Sequence, residues 1–377
     1  MKHQPSFFAQ TVAPQYFITG YALNVASTKA VSLLRKIQLL NCASNTANHV
    51  QYKILSMRIG LDVMGGVFAP VAAIVGAILA AKELSGNDKI VLIGQEVVIR
   101  SLLRERGCEA SLFDILHAPD VIEMGEHPTK AMARKPESSI SVGFQMLKHK
   151  KLDSFASAGN SGAMIVGSIF SVNTIPGIVR PLTSAIIPQE VGGYSLLVDV
   201  GTNPDAKPDV FYQFGLIGSI YVQNVYGVNN PRVALLNIGH EEEKGNRTTQ
   251  SAHHLMKDSK DFNFIGNIEG RDILDNAADV IVCDGFTGNI ILKLLESFYN
   301  LMEKRNLVDD YVHRLNYENY GGTPILGING TVIMGHGISN DIAIKNMVLL
   351  GRDVHKAEIA SKIKQALLNL SGGFVIE

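Results

Sequence analysis

Two periods of apolar residues take turns along most of this chain. Apolar runs of strand length recur at 58–62, 89–94, 110–115, 152–157, 183–188, 195–199, 232–239, 262–265, 278–283, 324–329 and 331–334. Most are separated by stretches, at 71–84, 96–106, 138–148, 163–170, 209–226, 290–304, 340 onward and 358–370, whose apolar residues return at helical spacing. Strand, turn and helix in that rotation predict parallel βαβ units and an α/β fold. Residues 121–135 have no clear period and are expected to form a loop with a short helix. No linker divides 57–377, which is expected to be a single catalytic α/β domain, with subdomains around a cleft still compatible with it.

The rotation is sharpest at 155–170. A buried strand ends at Ser157, Ala158-Gly159-Asn160-Ser161-Gly162 reverses the chain, and an apolar helix follows. Glycine allows positive φ and leaves backbone amides uncovered. Asn160 or Ser161 can cap the helix, and free amides at a helix start attract anions. A phosphate or oxyanion cradle and a plain strand-to-helix turn are both consistent with this segment. Residues 278–289 repeat the pattern, with Asp284-Gly-Phe-Thr-Gly-Asn289 as the turn.

Composition changes the picture mainly at the start. Residues 1–56 contain no Asp or Glu but five basic side chains (Lys2, Lys29, Arg35, Lys36, Lys53), so the remainder holds 29 basic against 35 acidic residues. This acid-poor, Ser-rich extension reads as a transit-like peptide, as a basic amphipathic helix on a membrane surface, or as sequence upstream of the natural start at Met57; it is expected to be poorly ordered and to take no part in catalysis. Over the whole chain, 46% hydrophobic and 18% charged residues supply a large core. No run of about 18 apolar residues suggests a spanning helix. The three cysteines (Cys42, Cys108, Cys283) match no zinc spacing and suit a reducing compartment, and a net charge of −1 gives no reason to expect nucleic acid.

In an open parallel sheet, ligands bind beyond the carboxyl ends of the strands. The turns at 62–66, 157–162, 199–208, 237–246, 284–289 and 335–340 are expected on that one rim. Dinucleotide and P-loop fingerprints are absent. Cys283 and His336 could form a nucleophile pair, although Cys283 falls in an apolar strand, where a buried structural thiol is the commoner case. Glu241-Glu242-Glu243 reads as a solvated turn or as metal ligands. Lys148-His149-Lys150-Lys151 reads as a helix C-terminus or as a docking patch for an acidic partner.

Seven stretches together resemble the PlsX family of bacterial phosphate acyltransferases, in order across 58–377. They are Asp62-Val-Met-Gly-Gly66, Ser157-Ala-Gly-Asn-Ser-Gly-Ala163, Leu197-Val-Asp-Val-Gly201 with Lys207-Pro208, and Leu236-Asn-Ile-Gly239 with Glu242 and Lys244-Gly-Asn246. The others are Gly266-Asn-Ile-Glu-Gly270, Cys283-Asp-Gly-Phe-Thr-Gly-Asn289, and Tyr320-Gly-Gly-Thr-Pro324 with His336-Gly337. Val67 stands where the family usually has Asp, which puts a polar contact at the cleft mouth in question.

The resemblance implies a three-layer α/β/α sandwich with a mainly parallel sheet, similar to the isocitrate/isopropylmalate dehydrogenase-like fold and usually a homodimer. It implies transfer of a fatty acyl group from acyl carrier protein to inorganic phosphate, giving acyl phosphate for phospholipid synthesis. No cofactor or metal is expected. The implied setting is cytoplasmic, peripheral on the inner membrane face, with product passed to a membrane glycerol-phosphate acyltransferase.

Phosphate is a competent nucleophile and a thiolate leaves readily, so positioning and oxyanion stabilisation are the main demands. Lys207, His336 and Asn289 are the expected catalytic groups: Lys207 or His336 for phosphate, and Asn289 with the 285–289 amides for the thioester carbonyl. Phosphate or substrate contacts are expected from Ser157, Gly159, Asn160, Ser161, Gly162, Asp62, Gly65, Gly66, Asn203, Asn237, Gly285 and Gly288, with Asp199 and Asp284 orienting them. A short-chain phosphotransacetylase-like enzyme and a non-catalytic regulator that binds acyl carrier protein are the alternatives.

Overall fold

Alternation along a strand sends neighbouring side chains to opposite faces, so the division of the core shows how the layers form. The computed structural model describes residues 56–370; all but the last residue of the acid-poor extension lies outside them. The strands are β1 (Arg58–Asp62), β2 (Lys89–Gly94), β3 (Asp114–His117), β4 (Ser154–Ser157), β5 (Leu182–Pro188), β6 (Tyr194–Val198), β7 (Arg232–Leu236), β8 (Asn263–Ile268), β9 (Val280–Val282), β10 (Thr323–Leu326) and β11 (Thr331–Met334). They form one sheet in the order β3-β2-β1-β4-β11-β10-β5-β6-β9-β7-β8.

Pairing is parallel except at the centre, where β10 is antiparallel to β11 and to β5, and β5 to β6. These reversals leave two parallel halves running in opposite senses. The six polar turns do not share one rim, contrary to expectation. Turns after β1, β4 and β11 leave one edge, and turns after β6, β7 and β9 follow strands pointing the other way.

The helices are α1 (Val71–Glu83), α2 (Glu96–Glu105), α3 (Pro128–Arg134), α4 (Ser139–Lys148), α5 (Ser161–Gly167), α6 (Pro208–Val225), α7 (Arg247–Lys257), α8 (Gly285–Lys304), α9 (Asp310–Arg314), α10 (Asp341–Lys356) and α11 (Ile359–Leu368). On one face, Ile59, Leu61, Ile90 and Leu92 pack with Ala73 and Ala77 of α1 and with Met347 and Val348 of α10. The same core continues through Val198, Val233, Leu235 and Val280 under Val210, Phe214 and Ile217 of α6. On the other face the core is split. Val91, Ile93, Phe155 and Val332 meet α4 and α5, while Leu197, Ala234, Leu236 and Ile281 meet α8. Helices on both faces of a mainly parallel sheet make the three-layer α/β/α sandwich that was expected.

Local chemistry moves several boundaries. Residues Ala110–Leu112 coil into a 3-10 turn, so β3 starts at Asp114. Asn160 Oδ1 accepts the Ala163 amide and Asp284 Oδ1 the Thr287 amide, so α5 begins at Ser161 and α8 at Gly285, both ahead of their apolar runs. The five-residue helix α9 was not anticipated.

Candidate active site

The split in the second-face core lies over the antiparallel strands, and a cavity of ≈ 370 Å³ fills it. Thr183, Ala185 and Ile187, alternate residues of β5, line it from the sheet, and α5 and α8 contribute the flanking helices. Gly201 and Thr202 reach it from the turn after β6, and Gly335, His336 and Gly337 from the turn after β11. The oppositely running halves therefore meet at this cavity on a face of the sheet, not beyond a shared edge. Its lining is mixed: Ile165, Ala185, Ile187, Leu292, Leu295 and Leu315 are apolar, while Ser161, Thr183, Thr202, Asn289, Lys293, Glu296 and His336 are polar.

The turn at 157–162 uses most of its polar groups internally. Ser157 Oγ donates to Asp62 Oδ2 at 2.6 Å, and the Gly159 amide donates to Ser157 Oγ at 2.9 Å. Burial pushes the Asp62 carboxyl up, against the hydrogen bonds from Ser157 and the Met64 amide. Asn160 Nδ2 donates to the carbonyls of Glu123, Met124 and Glu126, so its amide ties down the 123–126 loop. Gly65 and Gly66 let the β1 turn approach this one closely: a Cβ on Gly65 would meet the Gly159 backbone at 2.7 Å, and one on Gly66 would meet Gly337 O at 3.4 Å. Gly162 lies tight against Pro128. Of the turn's expected site residues, Ser161 lines the cavity.

The second glycine turn differs. Asp199 is buried and saturated: Oδ1 accepts from the Thr183 amide and hydroxyl and the Val200 amide, and Oδ2 from the Asn203 amide and side chain. Asn203 Nδ2 also donates to Pro181 O. The Gly285 amide donates to Asn203 O, and the Gly288 amide to Asp284 O. Gly285 and Gly288 are thus packing positions, and Asp284 is the helix cap. Asn289 escapes this network. It is exposed, lines the cavity, and its side chain has no hydrogen-bond partner among the described residues.

His336 lines the cavity in a cluster with Lys293 and Glu296, two residues outside the motifs. Lys293 Nζ lies 2.7 Å from His336 Nε2 and 2.7 Å from Glu296 Oε2. His336 Nε2 is 3.5 Å from the same oxygen, and the Tyr317 ring lies 5.2 Å from the imidazole. Burial pushes the Glu296 carboxyl up, but hydrogen bonds from His336 and Lys293 outweigh it and hold the group below the usual glutamate range. Burial, with the charges of Glu318 and Glu296, pushes the Tyr317 phenol up to about 12. Asn289, Lys293 and Glu296 are spaced i, i+4, i+7 on α8, which puts them on one face of the helix. That spacing is the signal the sequence holds for Lys293 and Glu296, beyond the family motif that ends at Asn289.

Other expected residues lie elsewhere. Lys207 is exposed immediately before α6 and is not part of the cavity lining. Asn237 closes the turn after β7, its side chain bonded to the Lys244 carbonyl and the Ile238 amide, also outside the lining. Val67 is 61% exposed and gives its amide to Gly337 O, a bond that any non-proline residue makes there. Cys283 is buried, its thiol pushed well up by burial and directed at Asp199 O, which removes it as a nucleophile partner for His336. In the acidic turn, Glu242 pairs with Lys257. The Lys148–Lys151 run precedes β4 and so lies at the end of that strand away from the cavity.

A family model described as "Fatty acid synthesis protein" matches residues 57–362. The chain belongs to that family. The phosphate acyltransferase of Dictyoglomus turgidum is 40% identical over 330 residues, covering 82% of this chain and 98% of its own length. That of Endomicrobium trichonymphae is 40% identical over 342 residues, covering 85% and 100%. These relatives bear out the family resemblance carried by the seven motifs. Among solved structures, the EutD phosphotransacetylase from Staphylococcus aureus aligns with a TM-score of 0.56 at 15% identity, covering 80% of this chain and 94% of that one. A phosphotransacetylase from Streptococcus pyogenes gives 0.55 at 15% identity, covering 79% and 94%. These likenesses concern the fold.

Proposed function

We propose that this protein is a phosphate acyltransferase that moves a fatty acyl group from acyl carrier protein to inorganic phosphate. The observation that carries the reading is one cavity whose lining combines apolar side chains, suited to an acyl chain, with Lys293, His336 and Asn289. Family membership and the names of the relatives at 40% identity support it.

The chemistry is compact. An oxygen of HPO4 2− attacks the thioester carbonyl carbon, the tetrahedral intermediate collapses with C–S cleavage, and the phosphate proton ends on the departing thiol. The products are acyl phosphate and free thiol, so atoms and charge balance without a covalent enzyme intermediate. Asn289, with an unpaired amide beside the cavity, is assigned to the carbonyl oxygen as charge develops there. Ser161 and Thr202 are further hydroxyl donors on the lining. Asp62, Ser157, Gly159, Asn160, Asp199 and Asp284 act through the turns they hold.

No described helix is long and apolar enough to cross a membrane. We assign the protein to the cytoplasm, working peripherally at the inner membrane face and handing its product to a membrane glycerol-phosphate acyltransferase. A homodimer is the proposed assembly. It rests on the exposed apolar row Phe286, Ile290, Leu294 and Leu301 along α8, and sedimentation tests it.

One assay separates the readings: long-chain acyl-ACP, long-chain acyl-CoA or acetyl-CoA is incubated with phosphate, and acyl phosphate is trapped with hydroxylamine. Phosphate-dependent product from long-chain acyl-ACP is expected. Preference for acetyl-CoA would favour the short-chain alternative, and binding of acyl-ACP without turnover would favour the regulator.

A further inference from the structure

We propose that Lys293 and His336 together form the seat for the phosphate nucleophile, and that Glu296 is the positioning residue that holds the pair. This rests on the acyltransferase reading above and names the anion-binding groups of that site.

A charged Lys293 has donors only, and its Nζ is 2.7 Å from His336 Nε2. His336 Nδ1 faces a second donor, the Ile338 amide at 3.3 Å. A neutral imidazole has one bare nitrogen, so it accepts from one of these donors and turns an N–H toward the other. Both donors on the cavity side also converge on a single acceptor, Glu296 Oε2, at 2.7 and 3.5 Å. An anion with several oxygens removes the conflict: one oxygen accepts from Lys293 and another from His336 Nε2–H, while Glu296 keeps its contacts. Phosphate has that form and carries the charge to match.

The surroundings fix the geometry. Glu296 is one turn of α8 beyond Lys293, with a side chain 16% exposed, so its carboxylate is a constrained brace and not a mobile surface group. Tyr317 packs on His336 and donates its hydroxyl to Ile338 O at 3.0 Å, pinning the loop that carries the imidazole. The Lys293 side chain is 48% exposed, so its replacement leaves no buried hole.

The test is steady-state kinetics with phosphate and acyl donor varied separately, alongside phosphate binding followed by 31P NMR line width. For Lys293→Met, an increase of at least tenfold in the phosphate KM is expected, with the acyl-donor KM within twofold of wild type, and Lys293→Arg should recover part of the loss. Glu296→Gln should raise the phosphate KM in the wild-type background and add little in Lys293→Met, because residues acting as one unit are non-additive. A phosphate KM within twofold of wild type in folded Lys293→Met would overturn the proposal. So would a phosphate defect that follows Lys207→Met instead. If the wild type forms no acyl phosphate from any donor, the acyltransferase reading fails. The seat is then judged by NMR alone: phosphate broadening in wild type that is lost in Lys293→Met supports it, and equal broadening, or none, rejects it.

Discussion

The two glycine turns, 157–162 and 284–289, look alike in sequence and are built for different work. Both end a buried strand, both are capped by an Asx side chain, and both start a helix on the same face of the sheet. In the first, Ser157, Gly159 and Asn160 spend their polar groups on Asp62, on each other and on the 123–126 loop. In the second, the corresponding work falls to Asp199 and Asp284, and the helix goes on for 20 residues, presenting Asn289, Lys293 and Glu296 to the cavity. A glycine turn positions a helix, and the chemistry belongs to whichever side chains remain unspent. The proposed anion seat is therefore built on the body of α8 and the β11 turn, with the loop whose sequence first suggested it contributing Ser161 to the same lining.

The largest effect expected from breaking this contrast is at Gly288. A methyl group there would fall on the Asp199 carbonyl oxygen and within 3.0 Å of Cys283 Sγ. Gly288→Ala should cost at least about 3 kcal/mol as overpacking against backbone, read as loss of soluble protein or a large fall in Tm. Gly159→Ala meets its nearest atoms only at 3.1–3.2 Å and should be milder, so equal damage from the two would erase the distinction.

Next comes Asn289→Ala. It should lower kcat by about 100-fold, the scale of one lost oxyanion donor, while Tm stays within a degree or two because the side chain has no partner to lose. Activity near wild type would return the carbonyl contact to another group.

Asn160→Ala should show the opposite balance. Loss of the cap on α5 and of the donors to three carbonyls should destabilise by about 1–2 kcal/mol, visible in thermal melts. A phosphate KM defect exceeding that of Lys293→Met would move the seat back to the first turn.

The smallest effect is a pH dependence of stability. Glu296 is held below its ordinary value of 4.5, so its contribution is present in full above that value and is lost as pH falls through the lower folded-state value. The Tm gap between wild type and Glu296→Gln should therefore be widest near neutrality and narrow below about 4.5. A gap that grows with acid would reverse the sign assigned to this group.

The sequence showed much of this architecture because alternation and helical period are local signals. The strand at Arg58–Asp62 and the capped glycine turns at 157–162 and 284–289 follow from patterns a few residues long. What it hid depended on distant pairing. Nothing in the β10 sequence announces antiparallel neighbours on both sides, yet that strand, with the β5–β6 pair, turns half the sheet around and moves the cavity from a rim to a face. Lys293 and Glu296 were hidden for a related reason: a Lys and a Glu three residues apart on an amphipathic helix also read as a surface ion pair, and only the approach of His336, 43 residues away, separates the two. Lys207 posed the converse problem, a cation within a family motif that the fold leaves facing solvent.

The most direct test of the account is the fate of oxygen label. Phosphate fully labelled with 18O is incubated with long-chain acyl-ACP and the protein, and the product is analysed by mass spectrometry before and after trapping with hydroxylamine. Acyl phosphate that retains all the label, formed in step with release of free thiol, is the expected result. Thioester consumed to unlabelled fatty acid at a rate independent of phosphate would contradict it.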